Sequence, residues 1–311
     1  MATIDRREML RLLTAAAVGF AAAELGAVAS EPPPRAERLL ARRIPSSGET
    51  LPVIGLGTWR TFDVGPSQRE RAPLAEVLRE FVALGGRLVD TSPMYGRAEQ
   101  VLGELAAAQG LRSELFIATK VWTGGRQAGI EQMRASMRRL GVRTLDLMQV
   151  HNLLDVDTHL ETLLAWKREG RLRYIGITHY TAHAHEQIAE LLERYPLDFV
   201  QINYSVGERE AENRLLPLAR ERGVAVIANR PFAGGGLLRR LSARPLPGWA
   251  AEIACASWAQ LLLKFVISHP AVVCAIPATA QVAHLRDNMA AGHGPLPDEE
   301  LRARIAAEAA A

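Results

Sequence analysis

Residues 88–103 read LVDTSPMYGRAEQVLG. The stretch begins as a buried, apolar strand and breaks off into a turn that carries an acid, Asp90, and a phenol, Tyr95. The same design recurs along the chain. Short apolar, β-branched runs appear as VIGLGTW (53–59), RLVDTS (87–92), LFIATK (115–120), LDLMQVH (145–151), RYIGITH (173–179), FVQINYS (199–205), VAVIANR (224–230) and AVVCAIP (271–277). Each is followed by a longer segment of helical periodicity, such as PLAEVLREFVALG (73–85) or GIEQMRASMRRLG (129–141). Gly85, Gly141, Gly170 and Gly223 stand where those helices would end in a left-handed cap. Eight βα units predict the α/β class: a (β/α)8 TIM barrel, as a single domain over residues 44–311. Continuously apolar strands agree, because parallel strands are covered on both faces.

In such a barrel the chemistry gathers at the carboxyl ends of the strands, where the loops surround one opening. Polar residues fall at those ends in strand after strand. Asp90 ends the second run, Lys120 the third, His151 the fourth, Thr178 the fifth, Gln201 with Asn203 the sixth and Arg230 the seventh. Ordinary loop composition would not repeat this placement so regularly.

The first 29 residues read as a separate unit. Paired Arg6 and Arg7 precede an apolar, alanine-rich run, and small residues offer a cleavage site after Ala29, a pattern that resembles a twin-arginine export signal. An uncleaved anchor and a disordered extension are the competing readings; Glu24 interrupts the apolar run, which is short for a span. Residues 30–43, with Pro32, Pro33 and Pro34, read as a stiff linker. Lys plus Arg number 37 and Asp plus Glu 34, with the signs interleaved, which argues against nucleic acid as a partner. Cys255 and Cys274 suggest two buried thiols rather than a disulfide framework, although an oxidising compartment would permit a bridge.

Asp90, Tyr95, Lys120 and His151 complement one another chemically. A free phenol is a poor acid near neutrality, with a pKa of about 10. A neighbouring ammonium stabilises the phenolate, so Lys120 is expected to lower the Tyr95 pKa while Asp90 keeps the lysine charged and oriented. His151 can donate to a carbonyl oxygen beside the phenol. The set protonates an alkoxide, but it offers neither a nucleophile nor a metal cage, so a cofactor must bring the hydride.

The segments GLGTWR, VDTSPMYG, IATKVW, LDLMQVHN, GITHY, VQINYS and IPATAQVAHLRDNMAA, between about Ile44 and Ala291, resemble the aldo-keto reductase superfamily in type and order. The resemblance implies a nicotinamide-dependent reductase of aldehydes or ketones, with Tyr95 as general acid, Lys120 and Asp90 as its modulators and His151 orienting the carbonyl. It implies Gln201 and Thr178 at the carboxamide, with His179 where the family usually has Asn. Asn229 replaces the stacking aromatic, so stacking falls to Arg230 or is absent. Gly234 to Gly236 either admit a pyrophosphate or form a flexible loop. Thr279 and Asn288 are expected at phosphate and adenine. Ala278 and His284 occupy positions where one subgroup carries basic residues, so the expectation of NADP(H) ahead of NAD(H) comes from the family. Trp59 and Trp122 either line the substrate cleft or pack the rim. His183 and His185 lack metal-site spacing. The tail after Pro295 is short and alanine-rich, which points to an open site or to closure by loops near Trp122 and Leu237 to Trp249.

The expectation that emerges is an exported, monomeric carbonyl reductase, handled by the twin-arginine translocase and residing in the periplasm. The alternative from a different class is a cofactor-binding sensor or partner-binding subunit with little turnover.

Overall fold

The computed structural model describes residues 39–311. The export signal expected over residues 1–29, and the linker up to residue 38, lie outside the described residues. The folded domain begins before Ile44. A strand, β1 (Ala41–Arg43), pairs antiparallel with β2 (Thr50–Pro52), so the end of the expected linker belongs to a hairpin.

Eight parallel strands follow: β3 (Leu56–Gly57), β4 (Leu88–Asp90), β5 (Phe116–Val121), β6 (Leu145–His151), β7 (Leu172–Thr178), β8 (Phe199–Asn203), β9 (Ala225–Asn229) and β10 (Val272–Ala275). Each pairs with its sequence neighbour, and parallel bridges Ile54↔Ala275 and Gly57↔Ala278 join the first to the last, closing the (β/α)8 barrel. The helices between them are α1 (Gln68–Ala83), α2 (Ala98–Ala108), α3 (Arg126–Leu140), α4 (Val156–Arg168), α5 (His185–Arg194), α6 (Leu215–Glu221), α7 (Gly236–Leu241), α8 (Trp258–Ser268) and α9 (Val282–Ala290), with α10 (Glu299–Ala310) closing the chain. Gly85, Gly141, Gly170 and Gly223 all take positive φ, as expected of residues that end helices.

Strand alternation divides the core in two. On β5, Phe116 and Ala118 join the barrel interior, while Ile117 and Val121 join the layer between strands and helices. The interior cluster also contains Leu88, Leu147, Tyr174, Phe199, Ala225, Ile227 and Cys274. Ile44 and Leu51 of the hairpin region are fully buried in that same cluster, so they plug the amino end of the barrel. Cys255 belongs to the outer layer and Cys274 to the interior; both are free thiols.

The tail after Pro295 packs against α8. It forms α10, whose Arg302 donates to the Phe265 carbonyl, to Ser268 Oγ, to Tyr204 Oη and to Glu212 Oε1, tying the helix to α8 and to the segment after β8. Arg240 and Arg244 reach the carbonyls of Ala309 and Glu308, where cations suit a helix carboxyl end.

Candidate active site

The inward alternation that buries Phe116 and Ala118 carries Lys120 to the end of β5, and that of Leu88 carries Asp90 to the end of β4. Lys120 is fully buried, and Asp90 nearly so. Lys120 Nζ donates to Asp90 Oδ1 and Oδ2 at 2.9 and 2.7 Å and to the Thr91 carbonyl at 2.8 Å. All three of its protons therefore have acceptors, which lets an ammonium survive burial. Gln201 Nε2 adds a 2.7 Å bond to Asp90 Oδ1, and Thr178 Oγ1 donates to Gln201 Oε1 at 3.1 Å. The carboxylate is thus held from β5 and β8 together.

Tyr95 sits on the turn after β4, its ring centroid 4.9 Å from Lys120 Nζ. His151, at the end of β6, meets the Tyr95 ring edge-on with centroids 5.9 Å apart. Trp122 lies beyond it, 6.3 Å from the imidazole. The four residues expected to act together therefore converge at one mouth. Ser92, which the sequence reading did not single out, has its Oγ 3.1 Å from His151 Nδ1; no local pattern signals a contact between residues so far apart in the chain.

One electrostatic expectation needs correction. Burial pushes the Tyr95 phenol up, Lys120 pulls it down and Asp90 pushes it up again; the net direction is up, not down. Burial is the largest of these influences, and the Asp90 carboxylate adds to it. The phenol is therefore protonated near neutrality, the state an acid must hold before it acts. Burial alone would lower Lys120, but Asp90 and Tyr95 more than reverse this and hold it above the ordinary lysine value. His151 is driven down to about 2, first by burial and then by Lys120 and His179, so its ring is neutral.

The residues expected at a cofactor stand on or after β7, β8, β9 and β10 and in α9. Thr178 and Gln201 are buried beside Asp90, and Thr279 and Asn288 are buried at and after the start of the segment that leads into α9. His179 follows β7; Thr181 Oγ1 lies 3.2 Å from its Nδ1, and Asn229 Nδ2 donates to its carbonyl at 3.0 Å. Arg230 takes φ 51° and pairs with Glu208 at 3.1 Å, a partner the sequence did not indicate. Asn229 Oδ1 and Arg230 Nε have no hydrogen-bond partner among the described residues. An orphaned acceptor and donor at this strand end suit a polar carboxamide or phosphate group. Gly234 and Gly235 take φ of 67° and 85°, and a Cβ would stand 3.6 Å from the Arg230 guanidinium at the first and 3.3 Å from that of Arg239 at the second. Trp59 and Trp122 are 45% and 40% exposed, so neither is packed away in the rim.

A closed barrel with a phenol, an ammonium–carboxylate pair and a neutral imidazole at the carboxyl ends of its strands defines an oxidoreductase-type proton-delivery site, without a nucleophile of its own. The family model for the aldo/keto reductase family matches residues 53–307, and the chain belongs to that family. It is 34% identical over 271 residues to the methylglyoxal reductase YeaE of Escherichia coli (strain K12), covering 84% of this chain and 92% of that protein. The NADH-specific methylglyoxal reductase of the same strain is 30% identical, covering 65% of this chain and 70% of the relative. An aldo-keto reductase from Klebsiella pneumoniae, solved in complex with NADPH, superposes with a TM-score of 0.72 at 29% identity, covering 83% of this chain and 91% of that one.

Proposed function

We propose that this protein reduces aldehyde or ketone carbonyls to alcohols with NADPH as the preferred donor, in an exported state reached through the twin-arginine pathway. The observation that carries the reading is the Lys120–Asp90 pair beneath a protonated Tyr95, with neutral His151 at its edge. Thr178, His179, Gln201, Arg230, Thr279 and Asn288 would hold the cofactor, and Trp59 and Trp122 the substrate. Bound there, a dihydronicotinamide would supply the hydride. The chain's own residues do the rest. His151 donates to the carbonyl oxygen and orients it. Tyr95 gives its proton to that oxygen as negative charge develops, and Lys120 stabilises the phenolate left behind. Asp90, fixed by Gln201, keeps the ammonium in place.

Support for NADPH comes from the Klebsiella neighbour, while the NADH-specific relative keeps NADH as the comparison. Purified protein with a panel of aldehydes, methylglyoxal among them, tests the activity: oxidation of NADPH that depends on the aldehyde is expected. Cofactor binding without turnover on any carbonyl would instead favour a sensor. Replacing Arg6 and Arg7 with lysine and fractionating the cells tests export, because the variant should stay in the cytoplasm with its activity intact.

A further inference from the structure

We propose that Ser92 is a positioning residue: its hydroxyl donates to His151 Nδ1 and thereby fixes the imidazole as the tautomer with its proton on Nε2, ready to donate to a carbonyl oxygen. The inference rests on the reading of His151 as the carbonyl-orienting group and adds to it the residue that decides which ring nitrogen holds the proton.

Ser92 is fully buried. A serine hydroxyl has one proton to give and two lone pairs to receive with. The Met94 N–H donates to Ser92 Oγ at 3.3 Å, which uses a lone pair. Among the described residues the other hydrogen-bond contact of Oγ is His151 Nδ1, at 3.1 Å. If the proton sat on Nδ1 and pointed at Oγ, the buried hydroxyl proton would have no acceptor, and a buried O–H without one is penalised. The opposite arrangement satisfies both groups. The ring is neutral, because burial and the nearby Lys120 disfavour an imidazolium, so the choice between two tautomers is a real one. With Nδ1 occupied by the serine proton, Nε2–H remains as the donor; with the tautomer reversed, Nε2 would present a lone pair that repels a carbonyl oxygen.

Ser92 also fixes the acid. Its carbonyl accepts the Tyr95 N–H at 3.0 Å, so one residue anchors the turn that carries the phenol and the ring beside it. It does so across β5, since Ser92 follows β4 and His151 ends β6.

The test is nitrogen-15 NMR of protein labelled at histidine, with the His151 signals assigned by their loss in His151→Gln. The expected wild-type pattern is a protonated Nε2 and an unprotonated Nδ1. Ser92→Ala should populate the Nδ1–H form and lower kcat by about fivefold or more with the dissociation constant for NADPH unchanged, and Ser92→Thr, which keeps the hydroxyl, should restore the Nε2–H pattern. A protonated Nδ1 in the wild type overturns the proposal without recourse to any variant, as does a nitrogen-15 pattern unchanged by Ser92→Ala. Wild-type protein that shows the Nε2–H form and yet reduces no carbonyl would count against the reductase reading and leave the assignment of Ser92 standing.

Discussion

Tyr95 stands in opposed fields: a dry environment that holds its proton on and a cation that would take the phenolate. A general acid contributes roughly 10²–10⁴-fold, so Tyr95→Phe should lose at least about a hundredfold in kcat while the dissociation constant for NADPH, read by fluorescence titration, hardly moves. Lys120→Met removes the charge that lowers the phenol. The phenol should then rise further, moving the alkaline limb of the kcat–pH profile to higher pH as turnover falls; a limb that stays put would show that Lys120 does not act through Tyr95. The tetrad was legible in the sequence because Asp90, Lys120 and His151 are unusual types at the ends of apolar strands and Tyr95 follows the first of them in a turn. The net direction of the Tyr95 shift was not, because burial depends on the packing around the ring. Ser92 and Glu208 were equally hidden: each acts through a partner that only the closed barrel brings near.

At the scale of elements, apolar runs and cap residues marked the eight βα units, but their limits were set elsewhere. The run VIGLGTW yields only Leu56 and Gly57 as strand, since its earlier part serves barrel closure through Ile54. Helix α1 starts ahead of Pro73 because Ser67 accepts the Glu70 N–H and caps it. Nothing local marked β1, whose partner and purpose lie in the hairpin. Packing between helices was also unreadable. A Cβ at Gly103 of α2 would stand 2.1 Å from the Arg139 carbonyl oxygen on α3, so the two helices approach as closely as a glycine permits. Gly103→Ala should force them apart, at a cost of about 1–3 kcal/mol, or on the order of 2–4 °C in Tm for each kcal/mol. Gly207→Ala, where a new Cβ meets nothing within 4 Å, provides the control. Calorimetry showing equal melting for both variants would refute the close contact.

Across the whole molecule, burial of uncharged histidines makes acid an enemy of the fold. His151 is depressed to about 2 and His269 to about 4, both chiefly by burial, and His179 is lowered as well. Between pH 6.5 and 4 the unfolded chain binds protons at these positions that the folded chain refuses. Stability therefore rises with pH across that window and is lost as pH falls through it. Tm should drop as pH is lowered from 7 towards 4, and His269→Gln should flatten the slope; a Tm independent of pH there would contradict the neutral rings.

The packed barrel interior, which Ile44 and Leu51 of the hairpin region complete at the amino end, has a kinetic consequence. A vessel packed to its rim offers only the rim, and a nicotinamide and a carbonyl compound that react there must queue. Whichever seats deeper enters first and departs last. Initial-rate plots against the two reactants should intersect, and only one product should compete with its own precursor for the free protein; parallel lines would mean that the reactants visit the vessel in turn and never share it.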